Sequence, residues 1–187
     1  MTAPLHPEVY APEADTYLLC ETALNECRPG ERVLEVGTGS GYIASHLQAR
    51  AQVVATDISP HAVREAYRAG VAVVRTDLFA GICAPFDLVV FNPPYLPTRE
   101  DERLDDWLEY ALDGGEDGRM VIQRFSREVG RILDQDGRIL LLVSSLTGLP
   151  EVIGLFEKEG FHSEIIEKRT VFDEDLYVLR ITRRPGT

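Results

Sequence analysis

The chain has 187 residues, with 19 Lys plus Arg against 31 Asp plus Glu for a net charge of −12, and it is 44% hydrophobic, 8% aromatic and 27% charged. That balance excludes a disordered or fibrous chain and disfavours one that grips nucleic acid over a broad surface by itself, because phosphate binding rests on Lys and Arg. No run approaches the roughly 18 apolar residues of a membrane span and no basic-then-apolar leader opens the chain, so one cytoplasmic domain over 1–187 is expected, with an N-terminal strap and helix at 1–30 and the core from 31 onward.

Leu18, Leu19, Ala23 and Cys27 recur at close to helical period, and Pro29-Gly30 stops the pattern, which predicts a helix over 14–27. Residues 32–37 form a short apolar strand running into Gly37-Thr38-Gly39-Ser40-Gly41, a turn that opens a helix over 41–50. Glycines there let a ligand approach the backbone closely. A nicotinamide fingerprint would require glycine at position 42, where Tyr42 stands, and Glu35 sits inside the strand end; the dinucleotide reading is weakened.

The next strand, 52–57, ends in Asp57, 20 residues after Gly37, where a carboxylate can accept both hydroxyls of a ribose. Ile58 follows it. Ser59 as N-cap and Pro60 at the first helical position predict a helix over 60–69. A third strand, 71–76, leads to Asp77 and Leu78. In an open parallel sheet ligands bind beyond the carboxyl ends of the strands, so Glu35, Gly37, Asp57 and Asp77 should converge on one crevice; either aspartate alone could be a turn or helix cap.

The strand over 86–91 ends in Asn92-Pro93-Pro94-Tyr95. Each proline fixes its φ and lacks an N–H, and Asn92, preceding proline, is pushed out of helical geometry. The resulting rigid loop offers the Asn92 amide oxygen, the Pro93 carbonyl and the Tyr95 ring: two acceptors and a flat wall suited to a planar NH2 group. Residues 100–117 then carry nine acidic residues against Arg103 alone. They read as an exposed loop with a short helix, either a solvated face or a substrate-facing one.

A strand over 138–143, a helix over 149–159 ended by Gly160, and strands over 163–168 and 175–182 complete the pattern. The last connection is too short for a crossover helix, so these two strands should be antiparallel neighbours. The whole is α/β, a seven-stranded, mostly parallel sheet with a reversed last strand. Cys20, Cys27 and Cys83 form no C-x-x-C pair, which argues against a disulfide framework or zinc site and for buried small hydrophobes. His6, His46, His61 and His162 are scattered without ligand spacing, so no metal is expected.

The glycine turn, Asp57, and Asn92-Pro93-Pro94-Tyr95 together resemble the Rossmann-like class I S-adenosylmethionine-dependent methyltransferases that modify exocyclic or amide nitrogen. Val9-Tyr10-Ala11-Pro12 with Asp15-Thr16-Tyr17-Leu18-Leu19, and Ala111-Leu112-Asp113-Gly114-Gly115-Glu116-Asp117-Gly118, are similar to segments of the HemK family, in its short archaeal and eukaryotic branch. Bacterial members carry an extra N-terminal helical domain for which this chain has no room, and Ala14 stands where family leaders commonly have glutamate. The resemblance implies that Glu35 and Gly37 contact the methionine part of the cofactor, Asp57 the ribose, and Asp77 and Leu78 the adenine, with Gly39, Gly41 and Ile58 also against the cofactor, while Thr16 closes over it. Asn92, Pro93, Pro94 and Tyr95 would hold the target nitrogen, with Asn92, Pro93 and Tyr95 as the catalytic set and Asn92 also against the cofactor.

The implied reaction is N5-methylation of the Gly-Gly-Gln glutamine of a class I translation release factor. Adenine-N6 or cytosine-N4 methylation, protein-lysine methylation and a non-catalytic cofactor-binding subunit remain alternatives. The branch also implies a small zinc-binding activator that adds to the sheet edge beside the third strand. Here Val71-Ala72-Val73-Val74-Arg75-Thr76 lacks the lysine or proline that commonly blunts an exposed edge.

Overall fold

The computed structural model describes residues 4–98 and 106–185. Its elements in chain order are α1 (Ala14–Glu26), β1 (Arg32–Val36), α2 (Tyr42–Leu47), β2 (Gln52–Asp57), α3 (Pro60–Arg68), β3 (Ala72–Arg75), β4 (Phe86–Phe91), α4 (Trp107–Tyr110), α5 (Met120–Glu128), β5 (Leu133–Ser144), α6 (Leu149–Lys158), β6 (Phe161–Val171) and β7 (Glu174–Arg183). They build the expected seven-stranded sheet, in the order β3-β2-β1-β4-β5-β7-β6, with β7 antiparallel to both neighbours and the first five strands parallel.

Successive strand residues face opposite sides, and this two-residue period sorts the core into two layers. Val33, Leu88, Val90, Leu140 and Leu142 pack with Leu19 of α1, Leu47 of α2 and Ala66 of α3. Leu34, Val36, Val89, Phe91, Ile139 and Leu141 pack with Ile122 and Phe125 of α5 and Phe156 of α6. The central strands are buried on both faces, which is why they read as continuous apolar runs.

Several boundaries differ from the sequence reading for identifiable reasons. Helix α5 escapes it: Ile122 and Phe125 are buried at helical spacing, but Arg119 makes no side-chain cap and the preceding Gly118 has φ +70, so no start signal precedes the helix. Strand β5 starts at Leu133 rather than 138, because the polar stretch Asp134 to Gly137 hides a pairing that resumes after a register shift against Phe86 and Leu88. The terminal strands extend beyond the expected 163–168 and 175–182 at both ends. The helix after the glycine turn is shorter than 41–50, starting at Tyr42. Cys20 and Cys27 are buried as expected, whereas Cys83 is exposed.

Of the acidic segment, Trp107–Tyr110 forms the expected short helix, capped by Asp106 Oδ1, which accepts from the Glu109 N–H at 2.9 Å. Glu100, Asp101, Glu102, Arg103 and Asp105 lie outside the described residues.

Candidate active site

A cleft of about 770 Å³ opens at the carboxyl ends of β1, β2 and β4 and brings together Thr16, Glu35, Gly37, Gly39, Asp57, Ile58, Asp77, Leu78, Asn92, Pro93, Pro94 and Tyr95. One expected member is elsewhere. Gly41 does not line the cleft; a Cβ there would meet Ala66 Cα at 2.8 Å, so its glycine is required where α2 packs on α3.

In one half of the cleft, backbone N–H groups hold two carboxylates. Glu35 Oε2 accepts from the Ala44 N–H at 3.0 Å and from Thr38 Oγ1. Burial pushes its carboxyl up to about 8, with the Asp57 charge adding to the rise and those two hydrogen bonds opposing it. Asp57 accepts from the Gly39 N–H at 2.9 Å through Oδ2 and from the Ser59 N–H at 2.9 Å through Oδ1, and burial raises its pKa against those bonds. Gly39, at φ +54, leaves open space beside the backbone, since a Cβ there would meet only the Tyr10 carbonyl oxygen at 3.9 Å. Farther along, Arg124 pairs with Asp77 at 2.6 Å, and Leu78 adopts φ +49, one of two non-glycine residues with positive φ among the described residues.

The other half is organised by Asp15, which the sequence reading placed in a motif but gave no role. Asp15 is 4% exposed and accepts from Tyr10 Oη at 3.2 Å, the Thr16 N–H at 2.6 Å, Asn92 Nδ2 at 3.0 Å and Tyr95 Oη at 3.4 Å. Burial and then the Asp15 charge push both tyrosine hydroxyls upward in pKa, so each stays an O–H donor. Because Nδ2 is taken by Asp15, the Asn92 amide is locked in one orientation, and its Oδ1 is buried without a hydrogen-bond partner in the protein. An unpaired buried acceptor costs about 1–3 kcal/mol. It is the atom a donor from a substrate would satisfy.

The loop after Asn92 is braced by the second HemK-like segment. Leu96 bridges Asp113 in parallel: its N–H donates to Leu112 O at 3.0 Å and its carbonyl accepts from the Gly114 N–H at 2.9 Å. Gly118 packs so closely that a Cβ would lie 2.5 Å from the Tyr95 carbonyl oxygen. The strap joins from the other side, with Glu8 Oε2 accepting from the Trp107 N–H at 3.2 Å.

His6 and His61 stack with ring centroids 3.8 Å apart and planes 11° apart, and with Glu8 their ligand atoms lie within 4.8 Å of one another. Chain spacing hid this grouping. Lone pairs in parallel ring planes do not converge on one point, so as it stands the trio is a stacking contact between strap and α3.

The model of the Methyltransferase small domain matches residues 9–106. Over 187 residues the chain is 38% identical to a putative protein N5-glutamine methyltransferase of Methanocaldococcus jannaschii, covering 96% of this chain and 94% of that one. Methyltransferase HEMK2 of Homo sapiens is 32% identical over 193 residues, with 94% and 90% covered. The chain belongs to the HemK family of methyltransferases. Among solved structures, the Mtq2-Trm112 complex of E. cuniculi, described as responsible for methylating the translation termination factor eRF1, superposes with TM-score 0.81 at 31% identity, over 95% of this chain and 99% of that one. As a HemK-family member the chain is an S-adenosylmethionine-dependent enzyme with the class I fold. No helix among the described residues is long and apolar enough to cross a membrane.

Proposed function

We propose that this protein, a single methyltransferase domain over 1–187 acting in the cytoplasm, methylates the side-chain amide of the Gly-Gly-Gln glutamine in a class I release factor. The observation that carries this reading is the buried, unpartnered Oδ1 of Asn92, a cleft-lining residue whose Nδ2 is held by Asp15. The donor set suits the cofactor. S-adenosylmethionine presents cationic or hydrogen-donating groups along its length, and the cleft offers carboxyl oxygens at Glu35, Asp57 and Asp77 beside the bare glycine backbone at Gly37 and Gly39. Glu35 with Gly37 would hold the methionine end, Asp57 with Ile58 the ribose, and Asp77 with Leu78 the adenine, under Thr16. When bound, the cofactor supplies an electrophilic methyl on a sulfonium.

An amide nitrogen is a poor nucleophile because its lone pair is delocalised into the carbonyl. Asn92 Oδ1 and the Pro93 carbonyl, accepting both of its N–H bonds, would fix the group and favour pyramidal character at nitrogen. Pro94 and Tyr95 would wall its faces. Rate then comes from orientation and fixed dipoles in a water-poor site.

A small partner fits the β3 edge. Strand β3 is outermost in the sheet, Val74 is 43% exposed, and Ala72–Arg75 contains no lysine or proline, whereas the opposite edge strand, β6, carries Glu164, Glu167, Lys168 and Arg169. A zinc-binding activator adding a strand there would cover that surface.

The test is to incubate the protein, alone and co-expressed with the activator, with methyl-labelled S-adenosylmethionine and, in parallel, release factor, a histone tail and duplex DNA. Label on the Gly-Gly-Gln glutamine, located by mass spectrometry, is the expected result. Label on lysine or a base instead would overturn the substrate assignment, and full activity without the activator would remove the obligatory partner.

A further inference from the structure

The turn joining β6 and β7 breaks two local rules at once. Val171 pairs with Glu174, leaving Phe172 and Asp173 as a two-residue hairpin loop. Phe172 sits at φ +52, the first central position, where such turns with one positive φ favour glycine. Its side chain is 98% exposed, so no packing offsets either the backbone strain or the hydration of the ring. Leu78, the other non-glycine residue with positive φ among the described residues, lies in the cofactor cleft. Backbone strain held without a packing return points to function.

The position of the turn says which function. Because β7 runs antiparallel to β5, its first residues lie at the carboxyl end of β5, with Ser144 paired to Leu176. Ser144 Oγ donates to Glu174, and the Asp175 N–H donates to Ser145 Oγ at 3.1 Å. This is the end of the sheet on which the Asn92 loop stands, on β4, two strands from β7 with β5 between them, and the charge of Glu174 reaches Tyr95. Leu146, 54% exposed, lies on the single 3₁₀ turn, Ser145–Thr147, that follows β5 at this end of the sheet. Phe172 thus stands exposed at the same end of the sheet as the catalytic loop, on the side away from the β3 edge.

We infer that Phe172 is a docking anchor for the protein substrate, inserting into an apolar surface of the release factor beside its Gly-Gly-Gln loop. The inference rests on the release-factor reading above. A side chain outside the cleft, at the catalytic end of the sheet, can touch only a macromolecular acceptor, and an uncharged aromatic tip suits a protein surface rather than a phosphate backbone.

Steady-state kinetics with two substrates, intact release factor and a short peptide carrying Gly-Gly-Gln, test this on the full chain. For intact release factor, Phe172→Ser should raise KM about tenfold with kcat unchanged, while the peptide KM stays at the wild-type value. Phe172→Gly, which relieves the backbone strain, should raise the melting temperature yet show the same KM defect, and Phe172→Tyr should restore KM. Wild-type KM for intact release factor in both Phe172→Ser and Phe172→Gly would overturn the docking role, as would an equal loss on the peptide. If the wild-type protein methylates neither substrate, the release-factor reading falls and the docking role with it.

Discussion

In the cofactor half of the cleft, Asp57 and Glu35 take their hydrogen bonds from Ser59, Ala44 and Gly39, which are 2, 9 and 18 residues away along the chain. In the substrate half, Asp15 reaches Asn92 and Tyr95 across 77 and 80 residues. The first half is a pair of adjacent strand-turn-helix units in which nearby N–H groups donate to Asp57 and Glu35. The second is assembled from strap, catalytic loop and the Asp113–Gly118 brace, and it leaves Asn92 Oδ1 unpaired. In the proposed function, cofactor binding would fall to locally encoded groups and turnover to a long-range assembly that keeps the buried Asn92 Oδ1 for the substrate.

That division predicts which kinetic constant each substitution moves. The largest effect is expected from Asn92→Ala, which should lower kcat by about 10²–10³-fold, the usual loss for one transition-state hydrogen-bonding group, with cofactor Kd shifted by less than about tenfold. Single-turnover rates and calorimetry on the same preparation would separate the two. Near wild-type turnover would break the comparison at its centre.

Next, Asp57→Ala should act on the opposite constant. It removes a charge-assisted acceptor and frees the Gly39 and Ser59 N–H groups, a loss of about 2–3 kcal/mol or some 30–150-fold in cofactor Kd, while kcat at saturating cofactor changes little. Unchanged affinity in a folded variant would remove Asp57 from the cofactor side.

Glu35 tests the cost of satisfying a carboxylate in a buried place. Its carboxyl is raised from 4.5 to about 8, so the folded state binds that proton more tightly than the unfolded state, and stability falls as pH rises between those values. In Glu35→Gln, an amide oxygen can still accept from Thr38 and Ala44 but nothing ionises. Between about pH 5.5 and 7.0, the wild-type protein should therefore lose about 2 kcal/mol of unfolding free energy relative to the variant. Parallel pH curves in denaturant titrations would contradict this.

The smallest effect is expected from Asp15→Asn, which keeps shape and one acceptor but turns an NH2 toward the Tyr10, Asn92 and Tyr95 donors. Loss of the fixed Asn92 orientation should lower kcat about tenfold, with cofactor Kd and melting temperature near wild type. A falling melting temperature with unchanged kcat would make Asp15 structural only.

All seven strands and the reversed β7 are legible in the sequence, because buried parallel strands are dense in Val, Leu and Ile and are punctuated by Gly, Pro and Asp. Helix α5 is not, since Gly118 and Arg119 give no capping signal, and its buried face shows only once β4 and β5 lie against it. Gly37, Gly39, Asp57 and Asn92 were legible as residues of the carboxyl-end cleft because each stands at or just after a strand end by fixed local geometry. Gly41 was legible as a glycine but not in its role, which depends on Ala66 of a different helix.

What the sequence determined by itself is therefore the alternating α/β pattern, the sheet, the carboxyl-end crevice and the rigid Asn92-Pro93-Pro94-Tyr95 loop, all set by side-chain period and by backbone restrictions acting within a few residues. Only the tertiary structure decided that Asp15 holds the Asn92 amide, that Gly114 bonds to Leu96 and Gly118 packs on Tyr95, that His6 stacks on His61, and that Phe172 stands exposed at the catalytic end of the sheet. Those contacts join residues far apart in the chain, and a hydrogen bond or an exposed ring has no periodicity from which its partner could be read.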